Sequence, residues 1–210
     1  MTITKRILTL GAVLAITVAT GGVANAAGSE TGPTGATRTV DVRTAGFSVE
    51  IPEPWVVFDS TKAESRAQFD AAVASNPELA QFSSAAASGA EHTALEVVDP
   101  SPAGGQGAYL TVQFYKGQRV TEPVSLVRAE FQQTDVFDDV SVRAAKLAGV
   151  RAVRARCALV MGAGAADRAE LLVYELVGPK GLLVVSLAWS GNGPIPSTVR
   201  DIVASVRLAR

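Results

Sequence analysis

A single cysteine in 210 residues, Cys157, excludes an internal disulfide, so the fold has to be held by its core. A single histidine, His92, removes most routes to nucleophilic and transition-metal chemistry, which would have one imidazole to draw on. Aromatic residues make up only 6% of the chain, and neither sign of charge is in excess, with 19 Lys and Arg against 20 Asp and Glu. That balance supplies no global pull toward nucleic acid or an anionic membrane. Long apolar runs are scarce as well. Nothing after residue 26 approaches the roughly 20 apolar residues of a spanning helix.

The one apolar run lies at the N-terminus and has the build of a secretory signal peptide. Lys5 and Arg6 supply a positive start, Ile7 to Thr20 is an uncharged, mostly apolar stretch of 14 residues, and Gly21-Gly22 ends it. Ala24-Asn25-Ala26 then places small residues where signal peptidase needs them. Cleavage near Ala26 leaves 184 residues with a formal charge of −3, a length suited to one domain. No cysteine stands at the cleavage point, so a lipid anchor is not expected, and the product is expected outside the cytoplasm.

Residues 27–45 are rich in Gly, Thr and Ala and read as a flexible leader, with one domain over 46–210. Phe47 to Ile51 alternates apolar and polar as a half-buried strand does. Thr61-Lys62-Ala63-Glu64 is a capping box for a helix carrying Phe69 and Val73, and Pro77 opens a second short helix. Strands follow at 93–98 and 108–115, then a helix with Val124, Val127 and Phe131 as its apolar stripe. Further strands are read at 140–144, 151–161, 169–177 and 182–189, the last two joined by the turn Gly178-Pro179-Lys180-Gly181. A terminal helix carries Ile195, Val199, Ile202, Val203 and Val206. Hairpins in place of regular strand–helix–strand units predict an α+β fold, a central antiparallel sheet of about six to seven strands flanked by helices.

The stretch Phe47-Ser48-Val49-Glu50-Ile51-Pro52-Glu53-Pro54-Trp55, followed by this order of elements over 46–210, resembles the Mog1/PsbP-like superfamily. Within it the chain looks most like the small exported LpqN-type proteins of actinobacteria. The resemblance implies an α/β/α sandwich and a non-catalytic binding or assembly role, and it brings no catalytic motif. The missing lipobox cysteine departs from the lipoprotein members.

No G-x-S-x-G elbow is present, and His92 sits at a loop-to-strand junction, where a surface or edge histidine is the plainer reading. Cys157 alternates with Val153, Ala155 and Leu159, which places it on an apolar strand face as a poor nucleophile. Asp135, Asp138 and Asp139 lack the glycine turn and terminal glutamate of a calcium loop and read as a solvated helix end. Gly162 to Asp167 lacks the third glycine of a dinucleotide fingerprint, and Gly104 to Gly107 lacks the Lys-Ser/Thr of a phosphate loop. Trp55, Tyr109, Tyr115 and Trp189 read as core edges more readily than as a ligand groove. No catalytic residue, metal ligand or cofactor is therefore expected.

One constellation stands out. Arg143, Lys146, Arg151, Arg154 and Arg156 fall within 14 residues, and Arg151, Arg154 and Arg156 form the candidate binding patch. Period-two alternation puts Arg154 and Arg156 opposite Cys157, where they would meet an acidic protein surface or a phosphate-rich envelope polymer. The plainer reading is a solvated sheet face. Two functions follow: an exported non-catalytic binding or assembly module with an unidentified protein or envelope partner, or a hydrolase or transferase working through carboxylates. For the second, Glu50 and Glu175 on exposed strand faces are the candidates, since paired carboxylates do acid–base work without histidine.

Overall fold

A computed structural model describes residues 36–58, 67–71, 92–99, 108–133, 137–160, 168–190 and 194–209. The capping box at 61–64, the helix start at Pro77 and the glycine-rich stretches at 104–107 and 162–167 lie outside them. So does Asp135.

Two antiparallel sheets organise the described residues. The smaller contains β1 (Thr37–Val42), β2 (Phe47–Pro52) and β10 (Arg207–Leu208) in the order β1-β2-β10. The larger is built from β3 (Val56–Phe58), β4 (Thr93–Val98), β5 (Ala108–Lys116), β6 (Phe137–Leu147), β7 (Val150–Val160), β8 (Arg168–Val177) and β9 (Gly181–Ser190). Its spatial order is β3-β4-β5-β9-β8-β7-β6, with every neighbouring pair antiparallel. Helices α1 (Val124–Gln132) and α2 (Ser197–Ser205) complete it, together with a helical turn at 67–71. The α+β architecture and the seven-stranded central sheet agree with the sequence pattern.

Both faces of the large sheet are covered. On one, Val127 and Phe131 of α1 and Phe69 of the helical turn pack over Tyr109, Val153, Cys157, Val173 and Val184. On the other, Val199 and Ile202 of α2, Trp55, and Phe47 and Val49 of β2 pack over Leu110, Val112, Leu172, Val185 and Trp189. Double coverage explains why residues 181–189 of β9 are buried throughout and read as a near-continuous apolar run. Ser205 locks the small sheet to α2: its Oγ accepts from the Glu50 backbone N–H at 2.9 Å and donates to the Ile202 carbonyl at 2.7 Å.

The segment 27–45 contains a strand that its composition does not suggest. β1 occupies 37–42 of that segment, with Val40 and Val42 set opposite Val49 and Phe47. Exposed threonines and charges dilute this strand, so its two inward valines were too few to register as a pattern.

The Gly178–Gly181 turn forms as expected, with the Gly178 N–H donating to the Gly181 carbonyl at 2.8 Å. At Gly181 the neighbouring strand passes so close that an added Cβ would collide with the Tyr115 carbonyl, which restricts the position to glycine.

Candidate functional site

The basic residues lie on the β6–β7 hairpin. Two residues connect these strands, Ala148 at φ 50° and Gly149 at φ 79°, as a tight turn with both centres left-handed demands. This turn sets Leu147 opposite Val150 and fixes the register beyond: Lys146 faces Arg151, and Arg143 faces Arg154. Directly opposed residues share one face of the sheet, and alternate residues take opposite faces. Arg154, Arg156 and Arg143 therefore share the face on which Ala152 packs toward α2, and Arg151 and Lys146 lie on the α1 side with Val153. The structure thus brings together Arg154 and Arg156 of the expected patch, adds Arg143, and separates Arg151 from them.

Arg143 is exposed, and Arg154 and Arg156 are half-buried. Glu170 of β8 holds Arg156, its Oε2 lying 3.0 Å from Nε and 2.9 Å from one terminal nitrogen. Among the described residues no carboxylate pairs with Arg143 or Arg154. Arg154 carries a second deficit, because its Nε is buried and meets no acceptor. Like charges directly opposed across strands are destabilising, and an orphaned buried donor costs about 1–3 kcal/mol. These arginines are therefore held in an arrangement that an anion would relieve.

The carboxylates behave differently from expectation. Glu50 is exposed on β2, but Glu175 is buried, at 4% exposure, on the α1 side of β8, and so does not lie on an open strand face. An alternating pattern marks inner and outer faces only where one face meets water, and here α1 covers the second face. Glu50 and Glu175 lie in different sheets and do not form a pair. Glu175 instead accepts a 2.7 Å hydrogen bond at Oε1 from the Glu122 backbone N–H, on the segment leading into α1. Glu130, one turn beyond Val127 on the buried side of α1, joins them at 4% exposure. Burial raises its carboxyl from 4.5 to about 7, and the charges of Glu122 and Glu175 push the same way. Sequence reading missed this trio, although a glutamate three residues after Val127 on the helix stripe was the available signal.

Glu96, Thr111 and Ser186 are also buried, and they form a row across β4, β5 and β9. His92 is half-buried, with its ring centroid 4.4 Å from that of Tyr115. Cys157 is buried at 1% exposure, and burial, with Glu170's charge adding, pushes its thiol up to about 12, which leaves no thiolate at neutral pH. Asp138 and Asp139 are exposed as expected but begin strand β6 and do not end a helix, and a bulge there puts Asp139 at φ 53°. Trp55, Tyr109, Tyr115 and Trp189 are all core residues. Between β2, β5, β9 and α2 an apolar void of ≈ 10 Å³ is lined by Phe47, Val112, Leu187 and Ile202, too small for a ligand. Among the described residues no group of three or more His, Cys, Asp or Glu is placed to hold a metal ion, and no helix is long and apolar enough to cross a membrane.

Comparison with known proteins defines the fold. The chain matches no family profile and no curated protein sequence. It is similar in structure to cyanobacterial PsbP (CyanoP) from Synechocystis sp. PCC 6803, with a TM-score of 0.51 at 10% sequence identity, over 86% of this chain and 98% of that one. The fold is PsbP-like.

Proposed function

We propose that this chain is an exported, non-catalytic binding or assembly module of the cell exterior, akin to the small LpqN-type proteins of actinobacteria. It engages an anionic component of the envelope through the arginine face of the β6–β7 hairpin. The observation that carries this reading is the direct opposition of Arg143 and Arg154 with no carboxylate between them among the described residues. The basic start, apolar run and Ala24-Asn25-Ala26 support export, and the PsbP-like fold is compatible with a binding role. Expression of the full chain in a secreting host tests both parts. The account expects medium protein beginning at Ala27 that sediments with purified cell envelopes and is released by salt. Retention of residues 1–26, or envelope binding unchanged in an R143Q/R154Q variant, would count against it.

A second reading, a carboxylate-dependent hydrolase or transferase acting on an envelope substrate, draws on Glu130, whose carboxyl titrates at about 7 near Glu175. Against it stand the depth of Glu130 and the commitment of Glu175 to the Glu122 N–H. Turnover of an envelope substrate that is abolished by both Glu130→Gln and Glu175→Gln would establish this reading in place of the first.

A further inference from the structure

We propose that Arg143 and Arg154 form a two-arginine clamp for one doubly charged oxyanion, a phosphate monoester group or free phosphate. This inference rests on the binding-module reading and names the chemistry that its basic face selects. The neighbouring pair provides the calibration. Arg156, one step along β7 on the same face, is met by the single carboxylate of Glu170, one positive charge to one negative. Arg143 and Arg154 are two arginines set directly opposite each other across β6 and β7 by the register of a two-residue turn, without such a partner among the described residues. A monoanion would leave one of those charges over. A phosphate monoester carries about −1.5 to −2 at neutral pH and offers three acceptor oxygens. It matches the charge of both guanidiniums and offers acceptors to their N–H donors.

Guanidinium groups fit phosphate through paired parallel N–H donors, and they stay charged at every accessible pH. The half-buried stem of Arg154 fixes one jaw of the clamp, and the exposed Arg143 closes onto the anion from the edge strand. Across β6 to β8, the other charged or titratable groups on this face whose side chains are described are Glu170 and Tyr174 of β8, Arg156 of β7 and Asp138 of β6. Glu170 is occupied with Arg156, which keeps its charge from competing for the clamp.

Calorimetric and NMR titration of the mature chain with inorganic phosphate, a hexose 1-phosphate, sulfate and acetate, all at matched ionic strength, tests the clamp. Phosphate and sulfate are expected to bind and to shift the signals of Arg143 and Arg154, with acetate at least about tenfold weaker. Lowering the pH from 7.5 to 5 should weaken the hexose phosphate, whose second proton binds near pH 6, and leave sulfate unchanged. Tighter binding of the hexose phosphate than of inorganic phosphate would identify a tethered group as the source, and the reverse order free phosphate. Arg143→Gln should abolish the phosphate response without loss of folding stability, since it also removes a like-charge opposition. Equal effects of acetate and phosphate, or a phosphate response that survives Arg143→Gln, would overturn the clamp. If envelope binding by the wild-type chain persists in that case, only the clamp fails. If envelope binding is absent too, the binding-module reading fails with it.

Discussion

Glu175 on β8 accepts its 2.7 Å hydrogen bond from the backbone N–H of Glu122, and that contact ties the segment entering α1 to the large sheet. Glu122 is itself buried, at 9% exposure, so the N–H has little recourse to water. Glu175→Ala strands the donor and is expected to cost about 2–3 kcal/mol, by the penalty for an unsatisfied buried group. Glu175→Gln keeps a carbonyl acceptor and removes one charge from beside Glu130, so its loss should be under about 1 kcal/mol. Urea unfolding of both variants at pH 7 separates these outcomes. Equal losses would mean that the bond contributes nothing beyond the packing of the side chain.

Glu130 makes stability depend on pH in an unusual direction. Its carboxyl titrates near 7 in the folded chain against 4.5 for the free group. Between those values the folded state holds a proton that the unfolded state has released, so the contribution to stability is complete below about pH 4.5 and is lost as pH rises through 7. The size is on the order of 3 kcal/mol. Glu130→Gln should remove this loss, leaving the variant more stable than wild type at pH 8 and close to it at pH 4.5. Parallel stability curves for the two proteins from pH 4.5 to 8 would refute the assignment.

Ala148 is the strained point of the hairpin that carries the arginines, because a residue with a Cβ sits at φ 50° there. Asparagine adopts this conformation more readily, and Asn-Gly is the favoured pair for such a turn. Ala148→Asn should therefore raise stability by about 0.5–1 kcal/mol and leave the register of Arg143 with Arg154 intact, as read from amide exchange and cross-strand NMR contacts. A destabilised variant would show that the half-buried methyl of Ala148 contributes more than the turn strain it causes.

The same hairpin shows where sequence reading stops. Period-two alternation was enough to put Arg154 and Arg156 opposite Cys157, and the strands around them were found within a few residues. Arg151 was grouped with them through proximity alone, although it differs from Arg154 by an odd number of positions and so takes the other face. Arg143 gained its role only from the turn. Leu147-Ala148-Gly149-Val150 does not announce a two-residue connection, because alanine is a poor residue for the left-handed position. With 145–150 read as a longer link, the register stayed open. Glu175 was misplaced for a different reason: alternation reports which residues share a face, and tertiary packing decides whether that face meets water. The apolar stripes of α1 and α2 were legible because helices packed on one side keep their period.

Equilibrium binding of the protein to long-chain polyphosphate across a salt series is the most direct test of the arginine face. The account predicts wild-type affinity that falls as salt rises, an R143Q/R154Q variant at least about tenfold weaker with a shallower salt dependence, and an Arg200→Gln control on the exposed side of α2 that behaves as wild type. Affinity that is the same in wild type and R143Q/R154Q, or lost equally with Arg200→Gln, would contradict it and leave the basic residues of β6 and β7 as a solvated sheet face.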